Sequence, residues 1–359
     1  MKVIGVGNSG TNSVNHMIRY KVSGVEFIVV DTDAQKLHHS IATKKIHIGK
    51  NITKGLGGGM NPDIGRQAAE ETKEELKEAI KGADMVFIAG GEGGATATGA
   101  APIIAKLSKE QGILTIAVVT TPFYFEGAQR KRTAEEGVMN LRNNVDASIT
   151  INNDRLLDLI DQKTTFLSAF KTCDEVLRQA VEGIVDLIVT PGIINVDFSD
   201  IKAVMQNAGS ALMGIGRAHG EKRAVEAAQK AINSPLLDLS IEGARGVLFV
   251  ISGGEDMTMS EIQEAANIIT SSIDREAKVI FGAIHDDRLR KNEIKITVIA
   301  SGFAENKDTR KLPIFSDSTK ASSKNEKEKK INESKLEEKE ILEEDEWDSV
   351  PAFLRRKKI

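Results

Sequence analysis

Short apolar runs alternate with amphipathic segments along the first half of the chain. Each run has the length of a buried strand, and the segments between them carry apolar residues at the spacing of one helix face. We predict strands at residues 3–6, 25–30, 45–48, 85–89, 113–120 and 148–152, and helices at 12–20, 63–80, 100–110 and 132–143. This alternation predicts a Rossmann-like α/β domain, whose parallel sheet presents the loops that follow its strands at one edge.

A longer helical pattern occupies residues 166–188 and ends before Pro191 and Gly192, which break helices. A second α/β region follows at about residues 198–303. Its predicted strands are at 246–252, 278–283 and 293–300. We interpret the long helix as a central connection between two domains. The alternative is that it is a core helix of one large domain.

The residues after 303 differ in composition from the rest of the chain. About half of them are charged, and apolar residues are sparse up to residue 340. Such a segment buries too little surface to offset its ordering entropy, so we predict disorder over 304–342. Apolar residues then return as Trp347, Val350, Phe353 and Leu354. They predict a peptide at 343–359 that docks in a groove of another protein. The alternative is an apolar tail end without a partner.

Composition narrows the classes of function. The chain has 359 residues, 40% hydrophobic content and a formal net charge of −4, which gives no general case for a nucleic-acid partner. The single cysteine, Cys173, suits a reducing compartment and is expected to be a packed thiol. The six histidines lack the spacing of metal ligands, so we predict no zinc site and assign no metal-ligating residues. We find no pattern of a signal peptide and no apolar stretch long enough to span a membrane. We therefore predict no membrane span and a cytoplasmic location.

Residues 90–99 form a glycine-dense stretch directly after the predicted strand at 85–89. A buried strand that opens into such a loop leaves a row of backbone N–H groups uncovered, and the helix behind the loop adds positive potential. Thr96 and Thr98 supply hydroxyl donors. The loop therefore predicts a phosphate site and a nucleotide-binding protein.

Two further glycine-rich stretches precede this loop. Gly5, Gly7 and Gly10 match G-x-G-x-x-G, and Asp31 follows at the distance typical of a dinucleotide fold. Taken alone, this pattern favours an NAD-dependent oxidoreductase, which is the alternative of a different class. The glycine run at 57–59 adds a third loop. A triphosphate needs amides from several sides, so we favour a nucleoside triphosphate, although the Walker sequence does not occur.

The segment at 195–200 (Asn-Val-Asp-Phe-Ser-Asp) follows the end of the long helix. Its two carboxylates, Asp197 and Asp200, lie beside the amide of Asn195, a combination that can orient and polarise a water. At the far end of the helix from the phosphate loops, they would serve the nucleotide of a neighbouring subunit stacked head to tail. Such a contact builds a filament. The alternative is that Asp197 or Asp200 caps a helix.

Together these stretches resemble the tubulin/FtsZ family of self-assembling GTPases. The similarity covers residues 2–303 and the tail. It is carried by residues 91–102, which are similar to the family's signature loop, and by 121–127, 191–200 and 349–356. The resemblance implies a GTP-binding domain at 1–165, a central helix at 166–189, a C-terminal activation domain at 190–303, a linker at 304–342 and a partner-binding peptide at 343–359.

The resemblance also implies roles for individual residues. Contacts to the nucleotide and its phosphates would come from Gly7, Asn8, Ser9, Asn12, Gly58, Gly59, Gly93, Gly94, Ala95 and Thr96. The ribose would be held by Glu126, the phosphates approached by Arg130, and guanine contacted by Asn153, Phe170 and Asp174. The catalytic residues supplied to the next subunit would be Asn195, Asp197 and Asp200.

The function implied by the resemblance is hydrolysis of GTP to GDP, dependent on Mg²⁺ and triggered by polymerisation. Whether K⁺ joins Mg²⁺ is left open by the sequence. The chain would form the head-to-tail homopolymer of the bacterial division ring at mid-cell. Its tail, around Pro351 and Leu354, would bind membrane-tethering division proteins similar to FtsA or ZipA.

The chain departs from the family pattern in and near the signature loop. Ala95 and Ala97 replace glycines, Glu92 stands where methionine is common, and Asp31 replaces a usual asparagine. A methyl group is strained where φ is positive and can obstruct a phosphate, and added acids repel a polyanion. These differences raise the alternative of a nucleotide-binding filament protein with weak or no GTPase activity. They are equally compatible with a working enzyme.

Overall fold

The structure, a computed structural model, describes residues 1–157, 164–190, 192, 194, 196–237, 241, 243–286 and 288–303. All of them belong to one compact unit, Met1–Glu305. The predicted linker at 304–342, the predicted peptide at 343–359 and Asn195 lie outside the described residues.

The strands form one mixed sheet. They are β1 Lys2–Val6, β2 Glu26–Asp31, β3 Lys44–His47, β4 Met85–Gly91, β5 Leu114–Thr121, β6 Ala147–Asn152, β7 Gly209–His219, β8 Gly246–Gly253, β9 Lys278–His285 and β10 Glu293–Ser301. Their order is β3-β2-β1-β4-β5-β6-β7-β10-β8-β9. Neighbours from β3 to β7 are parallel, and β10 is antiparallel to β7 and β8. The order from β3 to β6 is that of a doubly wound fold, which confirms the predicted α/β class.

Helices cover the sheet. They are α1 Gly7–Arg19, α2 Ala34–His39, α3 Lys50–Thr53, α4 Pro62–Glu71, α5 Lys73–Ile80, α6 Thr96–Glu110, α7 Ala128–Arg142, α8 Asn153–Leu156, α9 Phe166–Val189, α10 Phe198–Met205, α11 Arg223–Ile232 and α12 Met259–Ser271. The single helix predicted at 63–80 is two helices, because Thr72 leaves helical geometry at φ −104° and ψ 19°. Within the described part of the chain, no helix is long and apolar enough to cross a membrane.

Alternate side chains of the central strands enter two separate cores. In β4, Met85 and Phe87 belong to the buried cluster that contains residues of α1 and α9. Val86 and Ile88 belong to the cluster on the other face, with residues of α4 to α7. Because successive side chains of a strand point to opposite faces, a strand buried on both sides is apolar throughout. This explains why the sequence shows a continuous apolar run there.

Helix α9 is both the connection between the two predicted domains and a core helix. Its residues Leu177, Val181 and Ile184 are fully buried. They share one hydrophobic cluster with Val118 of β5 and Leu248 of β8. The core is therefore continuous past the predicted domain boundary.

Strand β7 is missing from the prediction made from the sequence. It contains Gly214 and Gly216, and glycine weakens the expectation of a strand. In the structure, a Cβ at either position would overlap a backbone carbonyl of α11, that of Ala231 or Ala227. The glycines allow α11 to pack directly on the sheet. The same residues that hide the strand in the sequence are thus required by its packing.

Candidate functional site

A cleft of about 320 Å³ opens at the carboxyl edge of the parallel strands. It lies beside β1 and β4, which are neighbours at the point where the strand order reverses and where such folds bind ligands. The predicted site residues that line it are Gly7, Asn8, Ser9, Asn12, Gly58, Gly59, Gly94, Ala95, Thr96, Glu126, Arg130, Asn153, Phe170 and Asp174. The fold thus brings these distant stretches of sequence together in one place.

Gly93, also predicted for the site, is not among the residues that line the cleft. Its φ is 95°, and a Cβ there would lie 2.8 Å from the backbone oxygen of Arg130. Its amide donates to Thr98 Oγ1 at 2.9 Å. Gly93 therefore lets the loop pack closely on α7.

Helices α1 and α6 both begin at the cleft, and neither has a side-chain cap. At the start of α1, Gly7 has a φ of 71°. Gly10 lies so close to β4 that a Cβ would overlap the carbonyl of Ala89. The first N–H groups of a helix have no partner within the helix. Two helix amino termini at one cleft therefore offer backbone donors and positive potential to an anion.

The two alanines of the signature loop have ordinary backbone geometry. Ala95 has φ −75° and ψ −56°, and Ala97 lies in the first turn of α6. Neither position therefore carries the strain that a positive φ would impose. Both residues line the cleft. A Cβ on Gly58 would lie only 2.5 Å from the methyl of Ala95, so the glycine loop at 57–59 and the signature loop are in close contact.

Asp31, at the end of β2, lines the cleft and is buried. Its Oδ1 accepts from the amide of Thr32 at 2.7 Å and lies 3.4 Å from the Thr96 hydroxyl. Its Oδ2 is buried and meets no hydrogen-bond partner among the described residues. Burial raises the pKa of Asp31 above its ordinary value, against the lowering effect of the backbone donors. A buried carboxylate oxygen without a hydrogen-bond partner is suited to contact a ligand or a cation.

The cleft is also lined by Phe170, Asp174 and Asn153. Asp174 Oδ1 accepts from Ser13 Oγ at 2.8 Å, and burial raises the pKa of Asp174. Phe170 packs edge-on against Phe123 with ring centroids 5.3 Å apart. Asn153 Oδ1 is buried and meets no donor among the described residues. An aromatic face beside a carboxylate and an amide is suited to a heterocyclic base.

Glu126 and Arg130 form an ion pair at 3.1 Å on the side of the cleft formed by α7. The other oxygen of Glu126 accepts from the amide of Phe123 at 2.9 Å, which fixes the carboxylate.

Asp33 and Lys36 also line the cleft and were not predicted from the sequence. Asp33 caps the amino terminus of α2. An aspartate at this position is a sequence signal for the start of a helix, and it could have predicted α2.

Glu92 is the most buried acid of the signature loop, with 2% of its surface exposed. Both carboxylate oxygens are buried, and neither meets a hydrogen-bond partner among the described residues. The carboxyl lies against Gly137 of α7, where a Cβ would overlap its Oε2. Burial raises the pKa of Glu92 to about 7, with the nearby Thr98 acting in the lowering direction.

Asp197 and Asp200 are not among the residues that line the cleft. Asp197 caps α10 by accepting from the amide of Asp200 at 2.9 Å, so the capping alternative is correct for Asp197. Both residues are exposed. Lys202 of α10 lines a pocket together with Leu114, the first residue of β5. This contact places α10 at the amino ends of the parallel strands. The cleft is about 20 Å away, at the other end of β5.

Among the described residues, no group of three or more histidine, cysteine, aspartate or glutamate side chains is arranged to hold a metal ion. Cys173 is buried and lines the cleft. Burial raises the pKa of its thiol to about 12, which makes it a packed thiol rather than a nucleophile.

Comparisons with known proteins agree with this geometry. The GTPase domain of the Tubulin/FtsZ family matches residues 1–161, and the C-terminal domain of the FtsZ family matches residues 209–304. An FtsZ dimer structure from M. jannaschii is 45% identical over 84% of this chain and 87% of that chain, with a TM-score of 0.81. CetZ2 from Haloferax volcanii, solved as a GTPγS-bound protofilament, shares the fold at 19% identity over 85% of this chain and 93% of that chain, with a TM-score of 0.71.

The doubly wound fold and its cleft define a tubulin-like nucleotide-binding protein. The chain belongs to the tubulin/FtsZ family of filament-forming GTPases, and it matches both domains of FtsZ. The NAD-dependent oxidoreductase suggested by the first glycine loop is therefore the wrong alternative. The glycine pattern is shared with dinucleotide folds because both kinds of protein have a tight turn between the first strand and the first helix of a doubly wound sheet.

Proposed function

We propose that GTP and GDP bind in the cleft, with the phosphates at the amino termini of α1 and α6 and guanine at the far end. The uncapped helix termini offer donors where the phosphates would lie. Asp174, held by Ser13, would accept from the N1–H and N2–H edge of guanine, which adenine lacks. Phe170 would stack on the base, Asn153 would bond it, and Glu126 would hold the ribose.

We further propose that hydrolysis takes place between subunits. The placement of the α10 acids carries this proposal: Asp197 and Asp200 are exposed at the edge of the sheet opposite the cleft. In a head-to-tail filament, they would reach the nucleotide of the adjacent subunit, together with Asn195. The acids would orient and polarise the attacking water, while loop amides and Arg130 offset the charge of the phosphates.

Steady-state GTP turnover across a range of protein concentrations tests this proposal. A shared site gives a threshold concentration below which turnover vanishes. Asp200→Ala should bind GDP and assemble as the parent does but lose turnover. Glu226→Ala, which changes another exposed acid in the first turn of a helix, is the matched control and should turn over normally. Undiminished specific activity in fully dissociated monomers would refute the shared site.

A divalent cation fits the phosphate end of the cleft. Mg²⁺ prefers oxygen ligands and usually takes one or two carboxylates along with the substrate phosphates. Asp31, whose Oδ2 is buried and unpartnered among the described residues, would hold it with the hydroxyl of Thr32. Bound there, Mg²⁺ would neutralise part of the phosphate charge. The proposal includes Mg²⁺ and leaves K⁺ as a second cation to be tested by ion substitution.

Weak turnover is the second candidate function, and the methyl groups of Ala95 and Ala97 at the cleft surface favour it. Their backbone is unstrained, so these two alanines would weaken turnover by obstructing the phosphates and not through strain. The double change Ala95→Gly plus Ala97→Gly should then raise phosphate release. An unchanged rate would remove this candidate. Light scattering adds a second test, because a catalytic filament falls apart as GTP runs out, whereas a non-catalytic filament persists.

We propose a cytoplasmic role at the mid-cell division ring, which rests on membership of the FtsZ family. The segment around Pro351 and Leu354 would bind a membrane-tethering partner similar to FtsA or ZipA. Deleting residues 345–359 should leave assembly intact and abolish recruitment to the membrane. Loss of assembly in that variant would contradict the assignment.

A further inference from the structure

The environment of Glu92 is unusual for an acid in a phosphate-binding loop. Its carboxyl is enclosed by α6 and α7, and both oxygens lack a hydrogen-bond partner among the described residues. The hydroxyl of Thr98 accepts from the amide of Gly93 at 2.9 Å and keeps its own proton to offer to the carboxyl, which acts to lower the pKa of Glu92 against the larger effect of burial. Gly137 provides the space, since any side chain there would overlap the carboxyl.

Among the described residues, no charged group of the surrounding elements pairs directly with this carboxyl. Arg130 of α7 is paired with Glu126 at 3.1 Å. Asp31, at the end of β2, carries a charge of the same sign as Glu92 when both are ionised. Neither Thr98 of α6 nor Thr120 of β5, whose carbonyl accepts from the Glu92 amide at 2.8 Å, can ionise. An ionised carboxylate in such a position is unfavourable, so the pKa of Glu92 rises to about 7 and the acid and the carboxylate are both populated near neutral pH.

Glu92 directly precedes Gly93 and Gly94, and Gly94 to Thr96 line the cleft. A phosphate bound there adds negative charge close to the carboxyl, which disfavours ionisation further. We propose that Glu92 is a proton-binding residue of the cleft, so that uptake of a nucleotide is accompanied by uptake of a proton from solvent. This inference rests on the proposed placement of the phosphates at the signature loop.

The linkage has a definite sign. Because the bound state holds the proton more tightly, affinity for the nucleotide is greatest at acidic pH and falls as pH rises through the pKa of Glu92, about 7 in the free protein. If the bound phosphate raises the proton affinity of Glu92 tenfold, the affinity for the nucleotide should fall about sevenfold as the pH rises from roughly 6 to 8.5. At about pH 7.5, binding would then take up about half a proton.

Isothermal titration calorimetry with GDP tests the proposal, using the full chain in buffers of different ionisation enthalpy. The dependence of the observed heat on the buffer gives the number of protons taken up. The phosphate of GDP can also exchange protons on binding, and because this contribution is common to all variants, the difference between variants isolates that of Glu92. We expect the parent and Glu135→Gln, an exposed acid of α7, to take up about half a proton more than Glu92→Gln at about pH 7.5.

Equal proton uptake by the parent and Glu92→Gln would overturn the inference. Absence of GDP binding by the parent would instead overturn the proposed function. Thermal unfolding establishes that each variant is folded, and Glu92→Met replaces Glu92→Gln if the latter is not.

Discussion

Replacing Glu92 by glutamine should stabilise the nucleotide-free protein at alkaline pH. In the unfolded chain the carboxyl has its ordinary pKa of 4.5, whereas burial raises the pKa to about 7 in the folded protein. Because the folded pKa is the higher one, the contribution of Glu92 to stability is fully present below 4.5 and is lost as pH rises through about 7. Glutamine has nearly the same volume and cannot ionise, so the variant should not lose this stability as the pH rises.

The magnitude follows from the change in proton affinity. A tenfold change in affinity corresponds to about 1.4 kcal/mol. The rise in pKa from 4.5 to about 7 therefore corresponds to about 3 kcal/mol of stability lost by roughly pH 8.5. Near pH 5 the folded protein still holds the proton, and the loss stays below about 1 kcal/mol.

Urea unfolding followed by circular dichroism, at about pH 5 and about pH 8.5, measures both values for parent and variant. We expect the free energy of unfolding of Glu92→Gln to exceed that of the parent by about 3 kcal/mol at the alkaline pH only. Glu135→Gln, on the exposed side of α7, should match the parent at both. An equal difference at both pH values would refute the reasoning, because it would show that the effect does not come from ionisation.

Three further predictions concern packing, ion pairing and base recognition. Gly99→Ala should destabilise the protein by about 1–3 kcal/mol in urea unfolding despite the better helix propensity of alanine, because the methyl would overlap a backbone carbonyl of α4. Arg223→Ala should lower the unfolding free energy by about 2 kcal/mol or more, since the buried guanidinium pairs with Glu261 at 2.6 Å and with Asp256 at 2.5 Å. In equilibrium binding, Asp174→Asn should weaken GDP at least about tenfold and favour xanthosine diphosphate, because an amide cannot accept from both N–H groups of guanine.

The parallel half of the fold was predictable because its strands are buried on both faces. Residues 85–89 form an unbroken apolar run for this reason, and β4 begins at Met85 as predicted. Strand β7 was not predictable, since Gly214 and Gly216 are explained only by the approach of α11. The break at Thr72 was also missed, because the apolar spacing of 63–80 continues across it.

The glycine loops of the cleft were predictable because a glycine-dense stretch directly after a buried strand is a local pattern in the sequence. Lys36 was missed, since helix α2, with six residues and Leu37 as its buried residue, is too short to show a repeated apolar spacing. The buried state of Glu92 depends on Gly137 of α7, a residue far along the chain. Sequence order gives no information on such a contact, so the conformation of this acid required the structure.

The cleft and helix α10 occupy opposite edges of one sheet. A row of copies joined edge to edge therefore has two unlike ends, one presenting an open cleft and the other presenting α10. A molecule that covers α10 would stop growth at only one end, and a molecule that fills the cleft would stop it at the other. Small amounts of such a capping molecule, far below the amount of subunits, would then suffice to set the length of the row.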